Sequence, residues 1–181
     1  MNPQARTYKL GNNIVMVIGV SKFNVEKQWE SIKELQGASN GIVSIQAVRA
    51  DAIFGIDHIL NVIRISLEAE RRNIKLVSRT EMDLLLRISC TNKLSKALID
   101  TGLTNQKPGC FILLSKDRKK LLNAAERILS LDLKVDNSVL KSTKRKKQLI
   151  CKHLGIRLNN DLSTDSSFTN YLSERAALLV K

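Results

Sequence analysis

The sequence predicts an α/β (mixed α+β) fold: a small four-stranded sheet covered by six or more helices, with helix dominant. Three observations carry this. Short apolar runs such as Ile-Val-Met-Val-Ile at 14–18 are continuous, β-branched and bounded by Gly and Asn, so they read as buried strands. Segments with apolar residues at helical spacing alternate with them. The longest of these, 50–72, is apolar around more than half its circumference, the mark of a helix that is buried or covered by a partner.

Each element follows from local pattern. After the strand at 14–18, Asn24 is placed to cap a helix over 25–36, with Val25, Trp29, Ile32 and Leu35 as its stripe and Gly37 as its stop. A second strand is read at 41–48. The long helix opens on Asp51 as N-cap and carries Ala52, Ile56, Ile59, Leu60, Ile63 and Leu67 on one face. Phe54, His58, Val62, Ile65 and Ala69 form a second face, and Asp57, Asn61, Arg64, Glu68 and Arg71 a polar strip between them. A third strand is expected at 74–77, then a helix from the capping-box spelling Ser78-x-x-Glu81. Thr91 reads as the cap of a further short helix ending at Gly102. Pro108-Gly109 turns the chain into a fourth strand at 110–114, and Ser115 is taken as the cap of the next helix. The basic run 141–147 leads into a helix closed by Gly155; 159–170 reads as a loop, and 171–180 as a last helix or strand.

At 181 residues the chain can bury a substantial core. It is read as an α/β core domain over 1–135 and a basic helical C-terminal segment over 136–181 packed on the same domain. The formal net charge of +13 argues for a polyanionic partner, most often nucleic acid. Three dispersed cysteines, Cys90, Cys110 and Cys151, make no disulfide framework and suit a reducing compartment. No signal-peptide core and no apolar run of about 20 residues are present, so a cytoplasmic protein without membrane contact is expected.

Little in the sequence resembles an active site, and no catalytic residue, metal site or cofactor is assigned. The eight glycines spell no phosphate loop, and Cys151-x-His153 is a weak ligand pair. His58 is read as a packed, hydrogen-bonded histidine. Cys90 would need a neighbouring base to act as a nucleophile in a transferase. The cations say more. Lys116, Arg118, Lys119 and Lys120 crowd a helix start, where they oppose the macrodipole. Either an anion sits there or the run is merely solvated. The cluster Arg71, Arg72, Lys75 and Arg79 and the run Lys144, Arg145, Lys146 and Lys147 are the other candidates. Aromatics are only 4%, so RNA contact would be mostly phosphate-directed, with at most a few flipped-out bases held in a pocket.

A family likeness rests on an ordered set of core patterns. These are Ala50-Asp-Ala-Ile-Phe-Gly-Ile-Asp-His58, the Ile-rich helix after it, Glu81-x-x-Leu84-Leu-x-x-Ile-Ser89, Ala97-Leu98 before Gly102, Ser138-Val-Leu140 before Gly155-Ile156, and Glu174-Arg-Ala-Ala-Leu-Leu179. Together they resemble the PRPK-binding (TPRKB-type) subunit of the KEOPS/EKC complex, in an archaeal-type form, over most of the chain. The likeness implies a non-catalytic, regulatory subunit in tRNA processing. Such a subunit binds and activates the small atypical kinase/ATPase, meets the other KEOPS subunits through it, and holds the tRNA 3′ CCA end for threonylcarbamoyladenosine formation. Two departures stand out: 144–147 is more basic than the family suggests, and Cys90 stands where a small residue is expected.

Residues assigned on these grounds are Arg64, Arg71, Arg72, Lys75, Arg79, Lys116, Arg118, Lys144, Arg145, Lys146 and Lys147 for tRNA. Leu84, Leu85, Ile88, Leu94, Leu98, Leu172, Leu178 and Leu179 are assigned to the kinase interface. The alternative reading is a free-standing basic RNA-binding protein without a kinase partner. Which apolar face of the long helix meets the core stays open at this level.

Overall fold

The computed structural model describes residues 5–39, 41–157 and 160–180. The elements run β1 (Arg6–Leu10), β2 (Asn13–Val20), α1 (Val25–Ala38), β3 (Ser44–Arg49), α2 (Gly55–Arg71), α3 (Thr80–Ile88), α4 (Leu94–Thr101), β4 (Gly109–Ser115), α5 (Arg118–Leu129), α6 (Lys144–Leu154) and α7 (Asp165–Ala177). The mixed α/β class holds, with one four-stranded sheet and more helix than strand. The chain divides into two compact units: Met1–Ala50 with Leu103–Val139, and Asp51–Gly102 with Leu140–Lys181.

The first unit is built on the sheet, ordered β1-β2-β4-β3 with every neighbouring pair antiparallel. Met16, Ile18, Val20, Phe111, Leu113, Ile45 and Ala47 share one core with Ile32 and Leu35 of α1 and Leu121, Ala125 and Ile128 of α5. Phe23 and Phe111 meet edge to face in that core, ring centroids 6.0 Å apart. Val15, Val17, Val48, Cys110 and Ile112, which alternate with the first set, are also buried. Burial of both sets is why β2 and β4 read as continuous apolar runs with no polar face. The Val25 and Trp29 side chains, placed on the stripe of α1, lie outside the described residues.

Among the described residues the strands are four, but not the four expected. Residues 6–10 form β1, which is largely polar and lies at the sheet edge, so it carries no apolar run. Its signal was the two-residue turn Gly11-Asn12 between paired Leu10 and Asn13, with Gly11 at the positive φ of +59° that primed hairpin turns use. Residues 74–77 form no strand. The Leu76 amide donates to Asp83 Oδ1 at 2.9 Å, and the Ile74 amide closes α2 by donating to Ala69 O at 2.8 Å.

Helix ends moved where another group took the capping role. Asp51 sits in a 3-10 turn, Ala50–Ala52, and α2 begins at Gly55; there His58 Nδ1 accepts from the Phe54 amide at 3.2 Å. Glu81 pairs with Arg79 instead of completing a capping box with Ser78, and the N-cap of α3 is Arg79. Thr91 Oγ1 accepts from the Lys93 amide at 3.3 Å, and α4 starts one residue later. Asp117, not Ser115, caps α5 by accepting from the Lys120 amide. Thr164 caps α7, so 165–170 is helix where a loop was expected. α2, α3 and α6 close with Asn73, Cys90 and Gly155 at φ of 57°, 51° and 65°. Each follows the paired-bond Schellman pattern, for which glycine is the unstrained choice.

The second unit is helical, and a buried polar hub ties four of its segments. Asp83 of α3 accepts from Ser66 Oγ of α2 at 2.6 Å, from Arg87 Nε at 2.8 Å, and from the Leu76 amide. Arg87 Nη1 donates to Ala176 O at the end of α7, at 2.7 Å. Asp83 is 0% and Arg87 1% exposed, so the pair is fully desolvated. In the same unit, Phe54, Ile150, Cys151, Phe168 and Leu172 pack in one apolar cluster, with Phe54 and Phe168 edge to face, ring centroids 4.8 Å apart.

Removing one member of a buried ion pair strands the other charge, which typically costs about 3–5 kcal/mol. Asp83→Ala is therefore expected to lower unfolding free energy by that amount in urea titration, and Ser66→Ala by about 1 kcal/mol.

Candidate functional site

The second unit carries a groove of about 640 Å³ lined by Arg64, Ile65, Glu68, Ala69, Arg72, Asn73, Ile74, Arg87, Ala177, Leu179 and Val180. Its walls are the last two turns of α2, the Asn73-Ile74 turn, and the chain just beyond α7. The Schellman closure at Asn73 swings the chain out of the helix line and presents the exposed Ile74 to the groove. The hub fixes the floor, because Arg87 joins α3 to the carbonyl that ends α7. The result is an aliphatic trough with charged side chains on its rim.

The rim is net positive. Glu68 accepts from Arg71 Nε and Nη2 at 2.8 and 2.7 Å and from Arg72 Nε at 2.5 Å. Those hydrogen bonds, from Arg71 first and then Arg72, pull its carboxyl down to about 2, so it stays ionised. Arg71 and Arg72 share this one carboxylate, and Arg64, whose Nη1 donates to Asn61 Oδ1, adds a third exposed guanidinium. Arginine forks held in this way have remaining donors for phosphate oxygens.

The other expected RNA contacts fare differently. Lys75 is held by Ser78 O and Thr80 Oγ1, with its side chain only 12% exposed, and Arg79 pairs with Glu81. Lys146 and Lys147 are buried. Lys147 Nζ donates to Ser163 O and Thr164 O and stands 5.1 Å from the Phe168 ring centroid, which makes it a strut between α6 and the start of α7. Lys144 and Arg145 are exposed in the first turn of α6. Lys116 and Arg118 are exposed at the start of α5, in the other unit, where Asp117 offsets the dipole cost.

Of the apolar interface candidates, Leu84, Leu85, Ile88 and Leu172 are buried and present no surface. Their helical spacing is that of core residues. Leu94 and Leu98 are 42% and 49% exposed on α4, and Ile99, not among the expected interface residues, is 76% exposed beside them. α4 buries only Ala97 and Thr101, so most of its apolar face is uncovered. Leu178 is exposed, while Leu179 lines the groove.

His58 and Cys90 are both sealed. Burial, with the Lys146 charge adding to it, lowers the His58 imidazole from 6.5 to about 4. Its Nδ1 is occupied by the Phe54 amide, and Nε2 has no partner among the described residues. Burial pushes the Cys90 thiol up to about 11, partly offset by Arg175, and its Sγ contacts the carbonyls of Arg87 and Leu172. A thiol so placed is protonated and poorly nucleophilic at neutral pH. Among the described residues no three His, Cys, Asp or Glu side chains gather as a metal site, and no helix is long and apolar enough to cross a membrane. Comparison of the sequence with protein-family models and with curated proteins gives no match.

His58 gives the fold a pH dependence of defined sign. The unfolded imidazole binds its proton near pH 6.5 and the folded one only near 4, so stability falls as pH drops through that window. The loss from this residue is roughly 3 kcal/mol at full protonation. Urea midpoints between pH 7 and 4 are expected to follow this fall, and His58→Gln, which still accepts from Phe54, to flatten it.

Proposed function

We propose that this chain is a non-catalytic RNA-holding subunit of a KEOPS-type tRNA-modifying assembly. It holds the unpaired 3′ CCA end of tRNA in the groove beside Arg64 and Arg72, and it supports the assembly's small atypical kinase/ATPase by docking through α4. The observation that carries this is the groove itself, an aliphatic trough of nucleotide scale under a positive arginine rim. A net charge of +13 supports a polyanionic ligand, and the ordered core motifs support the family. The uncovered Leu94, Leu98 and Ile99 support a protein partner on α4. Neither His58 nor Cys90 is poised for chemistry, which fits a holding role.

Binding is tested with tRNA that carries or lacks the terminal CCA, and with the cognate kinase. Intact tRNA is expected to bind at least about tenfold more tightly, one to two good base contacts' worth. Arg64→Glu with Arg72→Glu should weaken binding and reduce the salt slope by about two. Leu94→Asp with Leu98→Asp should abolish co-elution with the kinase and leave tRNA affinity intact. Equal affinity for the two tRNAs overturns the CCA assignment. Strong tRNA binding with no kinase association by the unmutated chain favours a free-standing RNA-binding protein.

A further inference from the structure

Arg87 is tethered on two of its three guanidinium nitrogens. Nε is fixed by Asp83 and Nη1 by Ala176 O, at 2.8 and 2.7 Å. Nη2 has no hydrogen-bond partner among the described residues, and it is not among the polar atoms sealed from solvent, while the residue lines the groove. A residue 1% exposed therefore keeps one donor group for the groove and cannot swing it away. Asp83 cancels its charge at contact distance. What remains on the floor is a rigid, nearly neutral donor among Ile65, Ala69, Ile74, Leu179 and Val180.

We propose that Arg87 Nη2 reads an acceptor atom on the edge of one unpaired nucleobase seated in this groove. The proposal rests on the groove being the RNA-end site and names the group that recognises the base. A phosphate is the wrong occupant for the floor. It would lose its hydration against aliphatic walls and meet a guanidinium whose charge is already neutralised. Phosphates belong at the rim, where Arg64 and Arg72 remain exposed. A base has flat apolar faces for the walls and a neutral carbonyl or ring nitrogen for the donor. Among the described residues no aromatic side chain lines the groove, so the donor carries a larger share of base recognition than in stacking-based sites.

The test uses the full chain and the trinucleotide CCA as RNA, alone and with an abasic ribose at each position in turn. One position is expected to lose about tenfold in affinity when its base is removed, the scale of one hydrogen bond with its packing. In Arg87→Lys, which keeps the charge but not the tethered fork, that position's penalty should shrink to near the value at the others, with the salt slope unchanged. Because Arg87 also supports the fold, the unmutated chain supplies a second readout. With nitrogen-15 arginine, the Arg87 guanidinium resonances should shift on adding CCA and stay put with the trinucleotide abasic at the sensitive position. A flat abasic scan, or an unmoved Arg87 signal at saturation, overturns the proposal while leaving RNA holding intact. No binding of CCA by the unmutated chain overturns the underlying reading and this inference with it.

Discussion

The Asp83–Arg87 pair is the constraint on which the second unit depends. Both groups are desolvated, so each must find its partners inside the protein. Asp83 spends both oxygens on α2, α3 and the connector between them; Arg87 reaches the carbonyl that ends α7. Such a pair adds little net stability over an apolar replacement of the same shape, because desolvation cancels most of the attraction. It does fix position: breaking any one bond leaves a buried group unsatisfied, so the register of α2, α3 and the α7 end is specified together.

The groove follows from that register. α2 ends in a Schellman turn at Asn73, which throws Ile74 outward, and Leu76 is pinned back by Asp83. α7 ends where Arg87 holds Ala176 O, so its last residue Ala177 and the following Leu179 and Val180 line the groove with Ile65 and Ala69. Polar satisfaction in the interior thus leaves an aliphatic trough outside, and the polar strip of α2 supplies its arginine rim. The same economy explains Lys147, a cation that looks like part of a nucleic-acid run but is consumed by two carbonyls and two aromatic rings.

Much of the fold was legible because periodicity reports burial. The three faces of α2 were read from spacing alone; Ile59, Leu60, Val62, Ile63 and Ala69 are buried, and Arg64 and Arg71 of the strip are exposed. Gly155 ended α6 as expected. β1 was missed because an edge strand with polar residues has no apolar run, and 74–77 was overread because an apolar run has no periodicity to exclude a connector. At the site, Arg64 and Arg71 were legible as cations on the polar strip of one helix, and Arg72 as part of the basic cluster at its end. Asp83 and Arg87 were not, because their roles are set by Ser66, Leu76 and Ala176, up to 89 residues away. Lys146 and Lys147 looked alike with Lys144 and Arg145, and only helix phase separates buried from exposed in that run.

The groove side of the second unit, and not the lysine-rich start of α5, is the proposed RNA face. Amide hydrogen exchange on the chain alone and saturated with intact tRNA tests it most directly. Slowed exchange at 64–74 and 176–180, with 116–120 unchanged, is the expected footprint. Protection confined to 116–120, with the groove segments exchanging as in the free chain, would instead put the RNA on α5.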